Sequence, residues 1–343
     1  MSEWSFISHI TDYLTRPRFG EQKAPTVWPS SATGMLNEKP IGKCRRQAFF
    51  RYASDNYRFS EDYAGYKKLH EHLAENKLPI ARYTQWLFRQ GDLYEEYCVN
   101  LAKEAGVFIA TQTSIYIPRF NVSGKLDLIV INPDTSKYHI VEVKSVYGFN
   151  SNFVLGTDAQ QKRGIMGQPR DSHLMQLGIY QWWFGNTTDN FGPGLLVYGS
   201  RDTGRFGEYQ ITVEKDDSDS LEYIYYQGIA PIVTEKTNSG ISIKSIMENY
   251  DYVLTCLKDK VIPERDYEIL YSEEKIKELY EAGDLSKADT LQYEKRLKQQ
   301  EEGKKRIVKA VEKGDWQCRF CDYKTVCYTK DSEAVPLDEL LQP

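Results

Sequence analysis

The sequence contains no apolar run that approaches the roughly 18 residues a membrane-spanning helix needs. Its first residues, MSEWSFISHITDYLTR, lack the basic stretch followed by an apolar stretch that marks a secretory signal. Internal repeats and low-complexity tails are also absent. We therefore expect a cytoplasmic protein that makes no contact with a membrane.

An excess of positive charge is missing too, because 44 Lys and Arg face 49 Asp and Glu, for a net charge of −5. This balance argues against a protein that coats nucleic acid through its overall field. A nuclease is not excluded, since bound cations neutralise an acidic metal site and a local basic groove can coexist with an acidic exterior. The 25 tyrosines and six tryptophans suit either core packing or stacking on bases.

Two neighbouring strands near the middle of the chain carry the residues with the clearest chemistry. The patterns of residues 126–131 and 138–146 predict strands joined by a turn. Asp127 on the first strand and Glu142 and Lys144 on the second can project from one face. Burying such charges is costly unless they pair or hold a cation. The set suits phosphodiester hydrolysis with Mg²⁺ or Mn²⁺, and a solvated hairpin is the alternative.

Helical and further strand patterns surround these two strands. Helices are predicted for residues 41–54, 80–105, 171–184 and 243–257, and a short amphipathic helix for residues 1–15. Further strands are predicted at residues 111–118, 195–199 and 209–213, whereas residues 16–40 are predicted to form a loop. Beyond residue 221 the chain becomes charged and is predicted to be helical.

Two of these segments carry candidate functional side chains. Gln176 and Tyr180 lie four residues apart in the helix predicted for residues 171–184, so they share one of its faces. The polar residues 147–170, which include Lys162, Arg163 and Arg170, are predicted to form a surface loop. Such a loop is either a mobile segment without a role or a flap that contacts substrate.

Six cysteines complete the set of candidate ligands. Cys318, Cys321 and Cys327 follow the spacing C-x2-C-x5-C, which is one ligand short of a tetrahedral zinc site or a cubane cluster. In an intracellular protein this spacing favours a metal site over a disulfide framework, with thiols that bind nothing as the alternative. Cys44 is available as a fourth ligand, and Cys98 and Cys256 are expected to be buried and inert.

Asp127 with Glu142-Val143-Lys144 resembles the PD-(D/E)XK nuclease signature, and the contexts GKLD and EVKS resemble its RecB-like branch. Other motifs of that branch follow in the same order along nearly the whole chain. The cysteine pattern resembles that of iron–sulfur nucleases of the CRISPR-adaptation and AddB types. The matching elements are Cys44-x-Arg46-x-x-Phe49-Phe50, Gly91-x-x-x-Glu95, Gln176-x-x-x-Tyr180 and the triad Cys318, Cys321 and Cys327.

The resemblance implies an α/β fold: a PD-(D/E)XK restriction-endonuclease-like core, in which a mixed sheet is flanked by helices, and a helical C-terminal part closed by an iron–sulfur cluster. It divides the chain into an N-terminal segment (1–80) with one cluster cysteine, a nuclease core (81–215), and a helical region with the cysteine triad (216–343).

The resemblance also implies the site residues. Metal ligands would be Asp127, Glu142 and the carbonyl of Val143, with assistance from Glu95, a position where the branch also has histidine. Lys144 would be the catalytic lysine, and Gln176 and Tyr180 would position the substrate. A 4Fe–4S cluster would be bound by Cys44, Cys318, Cys321 and Cys327.

The expected function is therefore metal-dependent cleavage of DNA, by an exonuclease acting on single strands or single-stranded ends. The resemblance leaves recombination, repair and CRISPR spacer acquisition open as pathways, with proteins of those pathways as partners. One alternative is a non-catalytic nucleic-acid-binding module with a nuclease-like fold. A structural protein stapled by zinc is another.

Overall fold

Alternating apolar side chains in the middle of the chain build a large sheet, and helices cover both of its faces. The structure, a computed structural model, describes residues 28–56, 68–69, 71–73, 75, 82–185, 188–304, 306–327 and 333–337. The helix predicted for residues 1–15 lies outside these ranges. The strands are β1 (Thr33–Leu36), β2 (Lys39–Gly42), β3 (Phe108–Ile117), β4 (Val122–Ile131), β5 (Tyr138–Val146), β6 (Gly194–Ser200), β7 (Phe206–Lys215), β8 (Glu222–Ala230), β9 (Thr237–Ser242), β10 (Val261–Ile262) and β11 (Val335–Pro336).

The helices lie between groups of these strands along the chain. They are α1 (Arg45–Asn56), α2 (Arg82–Glu104), α3 (Phe149–Leu155), α4 (Asp158–Gln161), α5 (Asp171–Gly185), α6 (Ile243–Asp259), α7 (Glu273–Glu281), α8 (Lys287–Glu301), α9 (Trp316–Arg319) and α10 (Lys324–Cys327).

The main sheet is mixed and has seven strands, β3 to β9, whose spatial order follows the sequence. All neighbouring strands are antiparallel except β5 and β6, which are parallel and therefore need a crossover. Helix α5 lies in that crossover and packs against β5, β6, β7 and β8, whereas α2 packs against β3, β4 and β5. The prediction of an α/β fold with a mixed sheet flanked by helices is confirmed.

The two faces of β5 bury different side chains. Val141 and Val143 belong to a small apolar cluster with Val99 and Ala102 of α2. Ile140, one residue along the strand, belongs to the large core that also contains residues of α5. Because side chains alternate between the faces of a strand, Glu142 and Lys144 project toward α5.

Near the N-terminus the structure differs from the prediction of a loop through residue 40 and a helix from residue 41. Strands β1 and β2 form a hairpin there, and the helix begins at Arg45, directly after Cys44. Gly42 has φ 79°, a left-handed conformation that interrupts a helix, and the amide of Lys43 donates to the carbonyl of Ala32 at 3.0 Å.

The predicted loop of residues 147–170 contains the short helices α3 and α4. Gly148 and Gly156, with φ of 58° and 77°, bound α3 on either side. The side chain of Thr157 caps α4 by accepting a hydrogen bond from the amide of Gln160 at 3.2 Å. The segment was predicted to be a loop because it is polar and because these two helices are too short to show a helical periodicity.

The region after residue 221 is not purely helical as predicted, because β8 and β9 extend the main sheet. The side chains of β8 are mostly half-buried, whereas half of those in β9 are exposed. The helices α7 and α8 share a small core of their own around Ile276, Leu285 and Val311. No helix within the described ranges is both long and apolar enough to cross a membrane.

Candidate active site and cysteine cluster

Asp127 and Glu142 lie at the point where β4 and β5 separate. The ladder between the two strands ends at the pair Leu128 and Val141, one residue before Asp127 would face Glu142. The Asp127 carboxylate occupies the resulting gap and accepts a hydrogen bond from the amide of Val143 at 2.9 Å. Because the N–H and C=O of one strand residue point the same way, the Val143 carbonyl also faces this gap.

Glu142, Lys144 and Gln176 form a hydrogen-bonded triangle between β5 and α5. The ammonium of Lys144 donates to Oε1 of Glu142 at 2.5 Å and to Oε1 of Gln176 at 3.1 Å. Gln176 Nε2 donates to Glu142 Oε1 at 2.7 Å. Glu142 and Gln176 are buried, whereas the Lys144 side chain keeps 22% of its surface exposed. Lys144 is therefore the member of the triangle that a substrate can reach.

The second oxygen of Glu142 is unsatisfied. Glu142 Oε2 is buried and has no hydrogen-bond partner among the described residues. Burial raises the pKa of Glu142, and the nearby Asp127 raises it further, against the opposing effect of Lys144. Burial also raises the pKa of Asp127. When both are ionised, these two neighbouring carboxylates carry one more negative charge than Lys144 alone can neutralise.

Lys144 itself stays charged in this setting. Burial lowers the pKa of its ammonium, but the neighbouring carboxylates of Glu142 and Asp127 raise it by more, so that it lies above the usual value. The lysine is therefore a fixed cation and not a proton acceptor near neutral pH.

Glu95 of helix α2 approaches the same gap from the other face of the sheet. Its carboxylate accepts a hydrogen bond from Gln112 of β3. Burial raises the pKa of Glu95 to about 7, and the charge of Asp127 contributes to the rise. Gln112 has a left-handed backbone (φ 52°), which disrupts the regular β3 pairing opposite Asp127. A glutamine within an exposed strand pattern gave no signal of this role in the sequence.

Tyr180 is placed in the hydrophobic core and not at the surface. Its side chain is 1% exposed, and its hydroxyl donates to the carbonyl of Lys125 at 3.4 Å. The ring lies so close to Gly124 that a Cβ there would come within 2.5 Å of the tyrosine hydroxyl. Tyr180 thus supports strand β4 beside Asp127, and its ring offers no free face to a base.

A half-buried histidine and a buried tyrosine behind the triangle were not identified from the sequence. A ring nitrogen of His173 lies 2.8 Å from the hydroxyl of Tyr198, which also accepts from the amide of Arg170 at 3.2 Å. Burial lowers the pKa of His173 well below its usual value, and the positive charges of Lys144 and Arg170 lower it further. A neutral histidine therefore sits at the base of helix α5.

Four cysteines from both ends of the chain line a single small cavity. Cys44 precedes α1, whereas Cys318, Cys321 and Cys327 belong to α9, α10 and the turn between them. None of the six cysteines, all within the described ranges, forms a disulfide. The other two, Cys98 and Cys256, do not line this cavity. The structure therefore brings Cys44 and the distant triad to the same cavity.

Cys44, Cys318 and Cys321 lie in an environment that opposes ionisation of their thiols. Burial raises the pKa of Cys44 and of Cys318 to about 12 and that of Cys321 to about 11. The thiolate form needed for metal binding therefore requires a compensating cation. Arg46 supplies part of this charge, because its guanidinium donates to the sulfur of Cys327 at 3.8 Å.

The two candidate sites offer ligands of different chemistry. Oxygen donors, with one unpartnered carboxylate oxygen, suit Mg²⁺ or Mn²⁺, and four thiols suit an iron–sulfur cluster or zinc. Across the residues that the structure describes, however, no group of three or more His, Cys, Asp or Glu side chains is arranged as a metal-ion site.

The chain was compared with protein families, curated proteins and solved structures. No family model, no curated protein and no solved structure matches the chain.

Proposed function

We propose that this protein is a metal-dependent deoxyribonuclease that hydrolyses phosphodiester bonds. The observation that carries the proposal is the buried oxygen Oε2 of Glu142, which has no hydrogen-bond partner among the described residues and belongs to a carboxylate that interacts with that of Asp127. A divalent cation held by Asp127, Glu142 and the carbonyl of Val143 would supply the missing charge, with Glu95 nearby.

Mg²⁺ or Mn²⁺ held by Asp127, Glu142 and the carbonyl of Val143 would supply Lewis-acid chemistry for phosphodiester hydrolysis. The protein contributes a fixed cation, because Glu142 and Gln176 hold the Lys144 ammonium at the exposed edge of the site. This charge stabilises the negative charge that develops on the phosphate in the transition state. Glu95, whose pKa is about 7, is suited to hold a proton near neutral pH.

The proposed substrate is DNA with single-stranded character, cleaved from its ends. The resemblance to RecB-like nucleases supports this choice, as it supports a 4Fe–4S cluster on Cys44, Cys318, Cys321 and Cys327. Recombination, repair and CRISPR spacer acquisition are the processes in which such an enzyme acts.

The test is a nuclease assay on single-stranded, double-stranded and end-blocked DNA with Mg²⁺, Mn²⁺ or EDTA. Cleavage is expected with either metal and not with EDTA. Asp127→Ala and Glu142→Ala remove the proposed ligands and should abolish it. Lys144→Ala removes only the fixed charge and should lower kcat by about 100- to 1,000-fold.

Lys137→Ala provides the control, since this lysine is exposed in the turn between β4 and β5 and should leave cleavage unchanged. Near-normal turnover of purified Asp127→Ala protein would rule out the proposed site. DNA binding without cleavage under every metal condition would instead favour a non-catalytic binding module.

A further inference from the structure

Three exposed aromatic side chains follow directly after the strand that carries Lys144. Tyr147 is 63% exposed, Phe149 is 80% exposed and Phe153 is 42% exposed. Single apolar residues on a surface are common, but three exposed aromatic rings within seven residues are typical of a binding surface. We name Tyr147, Phe149 and Phe153 the aromatic platform.

The platform is held in a fixed conformation. Gly148 has a left-handed backbone (φ 58°), which turns the chain sharply from β5 into α3, and its amide donates to the carboxylate of Asp202 at 3.0 Å. Helix α3 buries Val154 and Leu155 against the core. Phe149 and Phe153, four residues apart, therefore share the opposite, outward face. The rings are presented without needing to be ordered first.

Two arginines lie over these rings. The guanidinium of Arg201 is 5.9 Å from the centre of the Tyr147 ring, and that of Arg170 is 5.6 Å from the centre of the Phe153 ring. Arg201 follows β6, the strand paired with β5, and Arg170 directly precedes α5. Both cations thus belong to loops that adjoin elements of the triangle, because α5 carries Gln176 and β6 is paired with the strand that carries Glu142 and Lys144.

The charge around the platform is positive although the chain is acidic overall. Residues 145–170 and 200–206 contain five cationic side chains and two acidic ones. Both acids are engaged, because Asp158 pairs with Arg205 at 2.9 Å and Asp202 accepts hydrogen bonds from Gly148 and from serines of α3 and β6. The local excess of positive charge complements a polyanion.

A groove adjoins the platform and leads along helix α2. It has a volume of about 550 Å³ and is lined by Tyr147 and Arg201 together with Leu87, Gln90, Leu93 and Tyr94. Its lining is mainly apolar and aromatic, with a guanidinium at one side. This is the combination that accommodates nucleobases beside a phosphate backbone.

We propose that the aromatic platform and this groove bind single-stranded DNA, with bases stacked on Tyr147 and Phe149 and phosphates contacting Arg170 and Arg201. The inference rests on the proposed nuclease function, since the strand would lead to Lys144, three residues before Tyr147. A duplex keeps its bases stacked on each other and cannot offer them to the rings, so the surface selects single strands.

The experiment measures the affinity of the full-length protein for a fluorescein-labelled oligothymidine in EDTA, where nothing is cleaved. Base stacking on one aromatic ring contributes enough that Phe149→Ala and Tyr147→Ala should each raise Kd by at least about fivefold. Arg201→Gln should reduce the slope of log Kd against log salt by about 0.7, the loss of one phosphate contact.

Tyr116→Ala is the matched control, because this tyrosine is 49% exposed on β3 and belongs to neither the platform nor the groove. Wild-type affinity in both aromatic variants would overturn the proposal, and so would preference for a duplex of the same length. If a partner protein is the true ligand of this surface, both aromatic variants should bind the oligonucleotide with wild-type affinity.

Failure of the platform can be separated from failure of the proposed function with the small diester bis(p-nitrophenyl) phosphate and Mn²⁺. If wild-type protein hydrolyses this diester but does not bind the oligonucleotide, the platform is wrong and the active site stands. If it neither hydrolyses the diester nor cleaves DNA, the proposed function fails and the platform with it.

Discussion

A carboxylate buried as deeply as Glu142 is tolerated only where its charge is balanced. Oε1 is balanced by Lys144 and Gln176, which both donate to it, whereas Oε2 has no donor among the described residues. The sequence identified the pair Glu142 and Lys144 because their spacing on a strand is visible. The sequence could not show that Oε2 of Glu142 lacks a donor, because this results from the separation of β4 and β5.

Tyr180 belongs to the Gln176-x-x-x-Tyr180 motif, but it contributes to the stability of the folded protein. We expect Tyr180→Ala to destabilise the protein by about 3–5 kcal/mol, because truncating a buried aromatic side chain leaves a cavity. Tyr180→Phe should cost only about 1 kcal/mol, the contribution of the hydrogen bond to the Lys125 carbonyl. Urea denaturation of both variants measures the difference.

Oligonucleotide affinity provides the second measurement on the same Tyr180 variants. Tyr180→Phe should bind DNA like the wild type, since the ring is buried in the core. A stable Tyr180→Ala protein with strongly reduced DNA affinity would show that the ring becomes accessible and contacts substrate. The i, i+4 spacing of Gln176 and Tyr180 predicted a shared helix face correctly, but it could not reveal that this face is buried.

At the scale of elements, helix α5 is where core packing and site chemistry meet. It buries Leu174, Leu177 and Ile179 against the sheet, and it also carries His173 and Gln176. A helix buried around most of its circumference fixes such side chains in place. The geometry of the Glu142–Lys144–Gln176 triangle is therefore set by packing and not by the flexible ends of its side chains.

The neutral His173 on this helix makes stability depend on pH. Because burial lowers its pKa in the folded protein, only the unfolded chain takes up the proton when the pH falls below about 6.5. The stabilisation is complete above that pH and is lost as the pH falls toward the folded pKa. Between pH 6.5 and 5 the loss is at most about 2 kcal/mol.

His173→Gln isolates this contribution, since the amide has no charge to gain over the same range. We expect urea denaturation to show a shallower decline in the free energy of unfolding from pH 6.5 to 5 for the variant than for the wild type. Parallel profiles for the two proteins would mean that His173 is protonated in the folded state.

Other elements show where sequence patterns are insufficient. Strands β3 to β7 and helices α2 and α6 were predicted because their apolar residues recur with the period of the structure, and helix α5 because a polar N-cap precedes a largely apolar segment. Strands β8 and β9 were missed although Tyr223, Ile224 and Tyr225 favour a strand, because the charged region in which they lie predicted helices. Helix α3 was missed because seven residues are too few for a helical period to emerge.

At the scale of the whole molecule, the two ends of the described chain meet next to the cysteines. Arg46 of α1 is 1% exposed and donates to the carbonyls of Pro263 and Glu333, at 2.7 and 2.6 Å. Strand β11 pairs with β10 close by. The two contacts of Arg46 join segments more than 200 residues apart, which no local sequence pattern can predict.

The cysteines would add a covalent link at the same place if they bind the proposed cluster. Cys44→Ala and Cys321→Ala should then lose most of the iron and sulfide bound by protein purified without oxygen. Their melting temperature should fall by at least roughly 5 °C, because the free energy of metal binding is part of the free energy of folding.

Cys98→Ala is the matched control, because Cys98 lies on α2 away from the cavity and should keep both the iron and the melting temperature. Loss of iron as complete as in Cys321→Ala would refute the assignment of ligands. Zinc as the only bound metal would refute the cluster while leaving a metal link between the ends. A wild-type protein without either metal would leave Arg46 and the β10–β11 pair as the contacts that close the fold.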